Sequence, residues 1–218
     1  MKKIHGILDH IYSFLITFLI LLILYLIIGR EALIGVMKEH LISYNYIDNI
    51  YFLEDEISEN QIRAVSDTLK SSGKVYETFL EDSCYIVFTK DLDNERFSID
   101  KTKENVVGTY IEINDYKKIS ILIGLHNYDN VALHELGHYL DYKTNHQSEK
   151  EEFALLFEEY KSINFNDYGK IENYDYISGD IKEFFAERYS DFVLNPSLLK
   201  TLEPNLYDYF ERLIEEKL

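Results

Sequence analysis

The chain begins with a long apolar stretch and then changes to shorter patterned segments. Residues 11–29 are uncharged and mostly apolar, and as a helix they would cover about 28 Å, close to the ~30 Å hydrocarbon core of a bilayer. We therefore predict one transmembrane anchor at 11–29, between a cytoplasmic tail at 1–10 and a tether at 30–55. The alternative is a signal peptide that is cleaved on secretion, although the apolar part of such a peptide is usually shorter.

Basic residues around the apolar stretch indicate its orientation only weakly. Lys2 and Lys3 precede it, while Arg30 and Lys38 follow it. The positive-inside rule therefore gives a small bias towards a cytoplasmic N-terminus. We expect a single-pass membrane protein whose remaining chain lies outside the cell.

Regular patterns start near residue 56 and predict one domain at 56–218. Ser58 and Gln61 have the spacing of a capping box, so a first helix should begin there and end before Gly73. Runs rich in Val, Ile and Tyr predict strands at 84–88, 106–113 and 118–124. Helical spacing of apolar residues predicts further helices through 131–140, at 148–161, at 180–193 and from Pro204. This mixture indicates an α+β fold.

Charge and cysteine content exclude some classes of protein. The chain has 39 acidic and 22 basic residues and a formal charge of −17. Nucleic-acid binding rests on basic residues that neutralise phosphates, so we expect no nucleic-acid partner. Cys84 is the only cysteine, which rules out an intrachain disulfide.

A zinc-binding motif lies in the helix predicted through 131–140. His134 and His138 are one turn apart and therefore share a face, and Glu135 lies beside them. Zinc lowers the pKa of a bound water to about 7, and a neighbouring carboxylate can take its proton. The motif thus predicts one catalytic Zn²⁺, with Glu135 as the general base of peptide-bond hydrolysis. Gly137 is unfavourable inside a helix, which indicates either a close approach of neighbouring backbone or a tolerated defect.

A catalytic zinc needs a third protein ligand. A third histidine at the spacing used by some peptidases would fall on Thr144, so that pattern is absent. His146 lies close but off this spacing. Asp141 is one turn past His138, and a third ligand from the same helix would strain a tetrahedral site, so we expect Asp141 to support the ligands instead.

Two carboxylates on the helix predicted at 180–193 are better candidates. Glu183 and Glu187 are four residues apart and repel each other unless a cation compensates. Glu183 could bind the zinc while Glu187 accepts a hydrogen bond from a ligand histidine, as carboxylates commonly do. The alternative is an acidic helix face exposed to solvent, and the chemistry of these residues alone leaves both open.

The motifs His134-Glu-Leu-Gly-His138 and Glu183-Phe-Phe-Ala-Glu187, with the closing segment Leu202-Glu-Pro-Asn-Leu-Tyr207, resemble the anthrax lethal factor-like metallopeptidases, which include the secreted Pro-Pro endopeptidases. This resemblance implies a zincin-like domain with Glu183 as the third zinc ligand. It also implies that Tyr176, seven residues before Glu183, stabilises the oxyanion. Arg188-Tyr189 departs from the family, in which smaller apolar residues are expected.

Together these features predict a membrane-anchored zinc metalloendopeptidase. Its polypeptide substrate should bind in an extended form along the edge strand at 106–113 or 118–124. The alternative is a membrane-tethered binding or adhesion module that keeps zinc without turnover, but such a module gains nothing from Glu135. No pattern in the chain indicates an oligomeric state.

Overall fold

The computed structural model describes residues 45–53, 55–90, 107–113, 116–125, 127–163 and 179–218, which form helices and one mixed sheet. The predicted anchor at 11–29 and Tyr176 lie outside these residues. No helix in the described ranges is both long and apolar enough to cross a bilayer. The predicted α+β class is confirmed.

The described strands form one sheet in the order β1-β2-β3-β5-β4. β2 and β3 run parallel, as do β3 and β5, whereas β4 is antiparallel to β5 and β1 to β2. The strand bounds are β1 Asn45–Ile47, β2 Ile50–Phe52, β3 Tyr85–Thr89, β4 Gly108–Ile113 and β5 Tyr116–Leu122.

The helices follow the sequence signals closely at their starts. Ser58 caps the first helix, and both hydrogen bonds of the predicted capping box with Gln61 are present. The helix bounds are α1 Glu59–Ser71, α2 Lys74–Glu81, α3 Tyr128–Lys143, α4 Glu151–Tyr160, α5 Ile181–Leu194, α6 Pro196–Leu202 and α7 Pro204–Lys217, with a short 3-10 helix at Gln147–Glu149.

Helix α3 packs against one face of the sheet and forms the centre of the core. Alternating side chains of the sheet point towards it, among them Phe88 of β3, whose ring meets Tyr128 edge-on, and Tyr110 of β4, whose ring meets Tyr139. On the other side, α3 contacts α5. Helix α5 in turn packs through Phe185 against the rings of Phe153 and Phe210.

The two edge strands of the described sheet are β1 and β4, and β4 is the edge strand that packs against α3. β5 lies between β3 and β4, so of the two segments predicted as possible edge strands, 118–124 is interior and unavailable for pairing. Leu122 donates its backbone N–H to the carbonyl of Val107. Because hydrogen-bonded pairs alternate along antiparallel strands, the backbone groups of Gly108 and Tyr110 point away from β5, towards the outer side of β4 in the described sheet.

Four short elements were not predicted from the sequence: β1, β2, α2 and α6. β1 and β2 lie within residues 45–52, inside the predicted tether, and they belong to the sheet. Asp48 and Asn49 join them through a turn in which both residues have positive φ angles, the conformation that a two-residue hairpin turn requires. The remaining division into tail, anchor, tether and domain stays a prediction.

Candidate metal centre

The candidate site lies where α3 and α5 approach each other most closely. A Cβ added to Gly137 of α3 would lie only 2.7 Å from the Cα of Ala186 in α5. No side chain fits at this distance, so the predicted close approach of neighbouring backbone is confirmed at Gly137. The contact places the motif histidines of α3 opposite the two glutamates of α5.

Three side chains from these helices converge on one point. Glu183 Oε2 lies 3.1 Å from His134 Nε2 and 3.6 Å from His138 Nε2. Ligands about 2.0–2.1 Å from a tetrahedral zinc lie about 3.4 Å apart. The three candidate ligand atoms, all within 4.8 Å of one another, therefore have a spacing at which one metal ion could bind.

Glu187 contacts the opposite nitrogen of one histidine. Its Oε2 lies 3.1 Å from His134 Nδ1, and Glu187 is 5% exposed. A proton on Nδ1 that is donated to Glu187 leaves Nε2 with the lone pair that a metal needs. This hydrogen bond, from a ligand histidine to Glu187, is one of the two alternatives that the sequence left open for the Glu187 carboxylate.

The electrostatics of the site favour a positive charge between these side chains. Burial lowers the pKa of His134, but hydrogen bonds with the carboxylates of Glu183 and Glu187 outweigh it and raise this pKa to about 10. Burial raises the pKa of Glu183, yet its contacts with both histidines leave the pKa far below its usual value. Grouped carboxylates with little exposure require a cation, and two imidazoles with one carboxylate are a donor set that suits zinc.

Glu135 lies at the boundary between α3 and the edge strand β4. It is 5% exposed, and burial raises its pKa. Its carboxylate accepts a hydrogen bond from the backbone N–H of Tyr110. A Cβ on Gly108 would lie 2.7 Å from Glu135 Oε1 and 2.7 Å from Val131 Cγ1, so a larger residue there would displace the Glu135 and Val131 side chains.

Further contacts hold α5 in place below the site. Ser190 donates a hydrogen bond to Asn130 of α3 at 2.9 Å. Arg188 is fully buried, with its guanidinium 3.0 Å from Asp191 and 2.9 Å from Glu203. Arg188 departs from the resembled family, in which a smaller apolar residue is expected. The buried carboxylates of Asp191 and Glu203 compensate its charge.

The structure brings together most of the residues singled out in the sequence. His134, Glu135 and His138 of α3 meet Glu183 and Glu187 of α5, whereas Tyr176 lies outside the described residues. Gly108 and Tyr110 were missed, although an isolated glycine in a strand pattern is a recognised signal of close approach.

The rejected third-ligand candidates lie elsewhere. His146 packs its ring edge-on against Tyr142. Asp141 was expected to support the ligands directly, but its carboxylate is engaged by Ser148. Glu183 therefore completes the group of metal-ligating side chains found in the described part of the chain.

Comparison with solved structures identifies a similar fold. The chain resembles the Pro-Pro endopeptidase from Paenibacillus alvei with a TM-score of 0.57 and 19% sequence identity, over 76% of this chain and 97% of that one. No model of a protein family matches the chain, and no curated protein matches its sequence. The chain is a mixed α+β protein with a fold like that of a Pro-Pro endopeptidase.

Proposed function

We propose that the protein is a zinc metalloendopeptidase in which His134, His138 and Glu183 hold the metal. The observation that carries this proposal is the spacing of 3.1 and 3.6 Å between Glu183 Oε2 and the two Nε2 atoms. Two further features support it: Glu187 orients His134, and the fold is like that of a Pro-Pro endopeptidase. The motif resemblance to the lethal factor-like metallopeptidases points to the same family.

In the proposed hydrolysis, different residues carry out different steps. Zinc, when bound, would acidify a water and polarise the scissile carbonyl. Glu135, whose pKa is raised by burial, takes the proton of the attacking water and passes it to the leaving amine. In this proposal Tyr176 donates a hydrogen bond to the oxyanion, a role that rests on the resemblance alone.

The substrate is a polypeptide that binds in an extended form along β4. The backbone groups of Gly108, which face away from β5, can pair with such a chain. The hydrogen bond from Tyr110 to Glu135 supports this proposal, because a peptide paired with β4 would lie beside the proposed base.

Replacement of Glu135 by glutamine tests the catalytic role. The amide is nearly isosteric but cannot take a proton, so we expect zinc to stay bound while turnover falls by at least about 100-fold. Peptide-library digestion by the full chain with added zinc, followed by mass spectrometry, measures the turnover.

Glu158→Gln, at an exposed position of α4, is the matched control and should cleave as the unaltered chain does. Undiminished cleavage by the Glu135 variant would refute the role of Glu135. A chain that binds zinc and cleaves no peptide would instead support the silent binding module.

We also propose that residues 11–29 anchor the protein in a membrane with the peptidase domain outside the cell. The support is the uncharged, apolar composition of that stretch. After extraction with alkaline carbonate, the full chain should remain in the membrane pellet, and a chain without residues 11–29 should not. Release of a chain shortened at its N-terminus would show signal cleavage and secretion instead.

A further inference from the structure

Helix α3 continues beyond its histidines to a buried carboxylate that is absent from the proposed chemistry. Asp141 is 4% exposed. It accepts two hydrogen bonds from Ser148, one from the backbone N–H at 2.7 Å and one from the hydroxyl at 2.6 Å. Ser148 is completely buried. Asp141 thus fixes the 3-10 helix at Gln147–Glu149 to the end of α3.

The turn between Asp141 and Ser148 has an uncommon backbone conformation. Asn145 and His146 are consecutive residues with φ angles of 69° and 53°. Asn and His adopt the left-handed conformation more readily than most residues, but two such residues in succession still cost free energy, which the surrounding contacts offset. The backbone N–H of His146 also donates to the carbonyl of Asp141, at 2.8 Å. Asp141 therefore holds the turn through both its side chain and its backbone.

The same 3-10 helix reaches the start of α5. Glu149 Oε1 lies 2.6 Å from the amine of Lys182, and Lys182 directly precedes Glu183 in the chain. The 3-10 helix also packs against α5. A continuous series of contacts thus runs from α3, through the turn, to the residue next to Glu183.

Helices α3 and α5 contact each other directly at Gly137 with Ala186 and at Asn130 with Ser190. Both Ala186 and Ser190 follow Glu183 in α5. The 3-10 helix adds a contact on the other side of Glu183, at Lys182 in the first turn of α5. Contacts on both sides of Glu183 hold this part of α5 more firmly than contacts on one side.

We propose that Asp141 is a positioning residue for Glu183: by holding the turn, it sets the first turn of α5 so that the Glu183 carboxylate lies between the imidazoles of His134 and His138. The inference rests on the proposed metal site. It assigns to Asp141 an effect on metal affinity and geometry, exerted without contact with the metal.

Zinc affinity of the full chain, measured by competition with a chelator, tests this role. Asp141→Ala removes both bonds to Ser148, and we expect its affinity to fall about 10-fold or more, as for other residues that orient ligands. Asp141→Asn keeps an acceptor for the Ser148 N–H and should restore most of the affinity. The visible absorption of the cobalt-substituted chain should change in the alanine variant and not in the asparagine variant.

Two lysine variants distinguish an effect on the position of Glu183 from a general loss of stability. Lys182 and Lys70 each lie 2.6 Å from a carboxylate and are about half exposed, but only Lys182 lies next to Glu183. Because exposed ion pairs are weak, we expect Lys182→Met to lower zinc affinity only about two- to fivefold. Lys70→Met, which breaks the pair with Asp48, should leave zinc affinity unchanged.

Two results would overturn the positioning role. One is an Asp141→Ala chain that unfolds at a lower temperature without metal yet keeps the original zinc affinity and cobalt spectrum. If that variant does not fold, equal zinc affinities of the two lysine variants are the deciding contrary result. Failure of the unaltered chain to bind zinc would refute the metal site itself and is thus distinguishable from both.

Discussion

At the scale of single residues, the site depends on which nitrogen of His134 carries a proton. Glu187 Oε2 lies 3.1 Å from Nδ1, and Glu183 Oε2 lies 3.1 Å from Nε2. A histidine cannot donate to one carboxylate and bind a metal through the same nitrogen. When a metal takes the lone pair of Nε2, the remaining ring proton lies on Nδ1, where Glu187 accepts its hydrogen bond.

Variants of Glu187 should change zinc affinity in a definite order. Glu187→Gln keeps an oxygen that can accept from Nδ1 but loses the charge, so we expect an affinity about 10-fold below that of the unaltered chain. Glu187→Ala leaves Nδ1 without this acceptor and should bind more weakly still. Chelator competition measures both, with exposed Glu211→Gln as the control. Equal affinities in all four proteins would contradict the role of Glu187.

At the scale of secondary-structure elements, the site exists because α3 and α5 pack backbone to backbone. Gly137 allows this, since any side chain there would overlap the Cα and carbonyl of Ala186. The spacing of four positions from His134 to His138, and from Glu183 to Glu187, then places two matching pairs of side chains across the contact. The spacing of the helices sets the spacing of the ligands.

Replacement of Gly137 by alanine tests this relation between helix spacing and metal binding. Alanine favours helix over glycine by up to about 1 kcal/mol, so on local grounds it should stabilise α3. The nearest atoms are backbone atoms and cannot rotate away, so we expect the thermal midpoint and the zinc affinity both to fall. Calorimetry and chelator competition measure the two effects. A more stable variant with unchanged zinc affinity would contradict the account.

Local signals determined which elements the sequence could predict. α1 was predicted because Ser58 and Gln61 form a capping box, and α3 because its apolar residues have helical spacing. β1 and β2 have only three residues each, too few for an alternating pattern. Pro196 fits the end of the preceding helix equally well, so it does not by itself predict α6, of which it is the first residue, a position that proline favours.

At the scale of the whole molecule, the decisive feature is a contact between segments far apart in the chain. The sequence predicts a helix with His134 and His138 and another with Glu183 and Glu187. Helical periodicity determines which residues share a face, but not which other element that face meets. The orientation of α5, and the passage of β4 over Glu135 at Gly108, therefore became apparent only in the folded chain.

The most direct test of the central claim is the zinc content of the purified full chain and of its Glu183→Ala variant, together with X-ray absorption at the zinc edge. The account predicts about one zinc per chain, with two imidazole nitrogens and a carboxylate oxygen as protein ligands at about 2.0–2.2 Å. It also predicts that the variant loses most of this zinc. An unchanged zinc content and an unchanged set of ligands in the variant would contradict it.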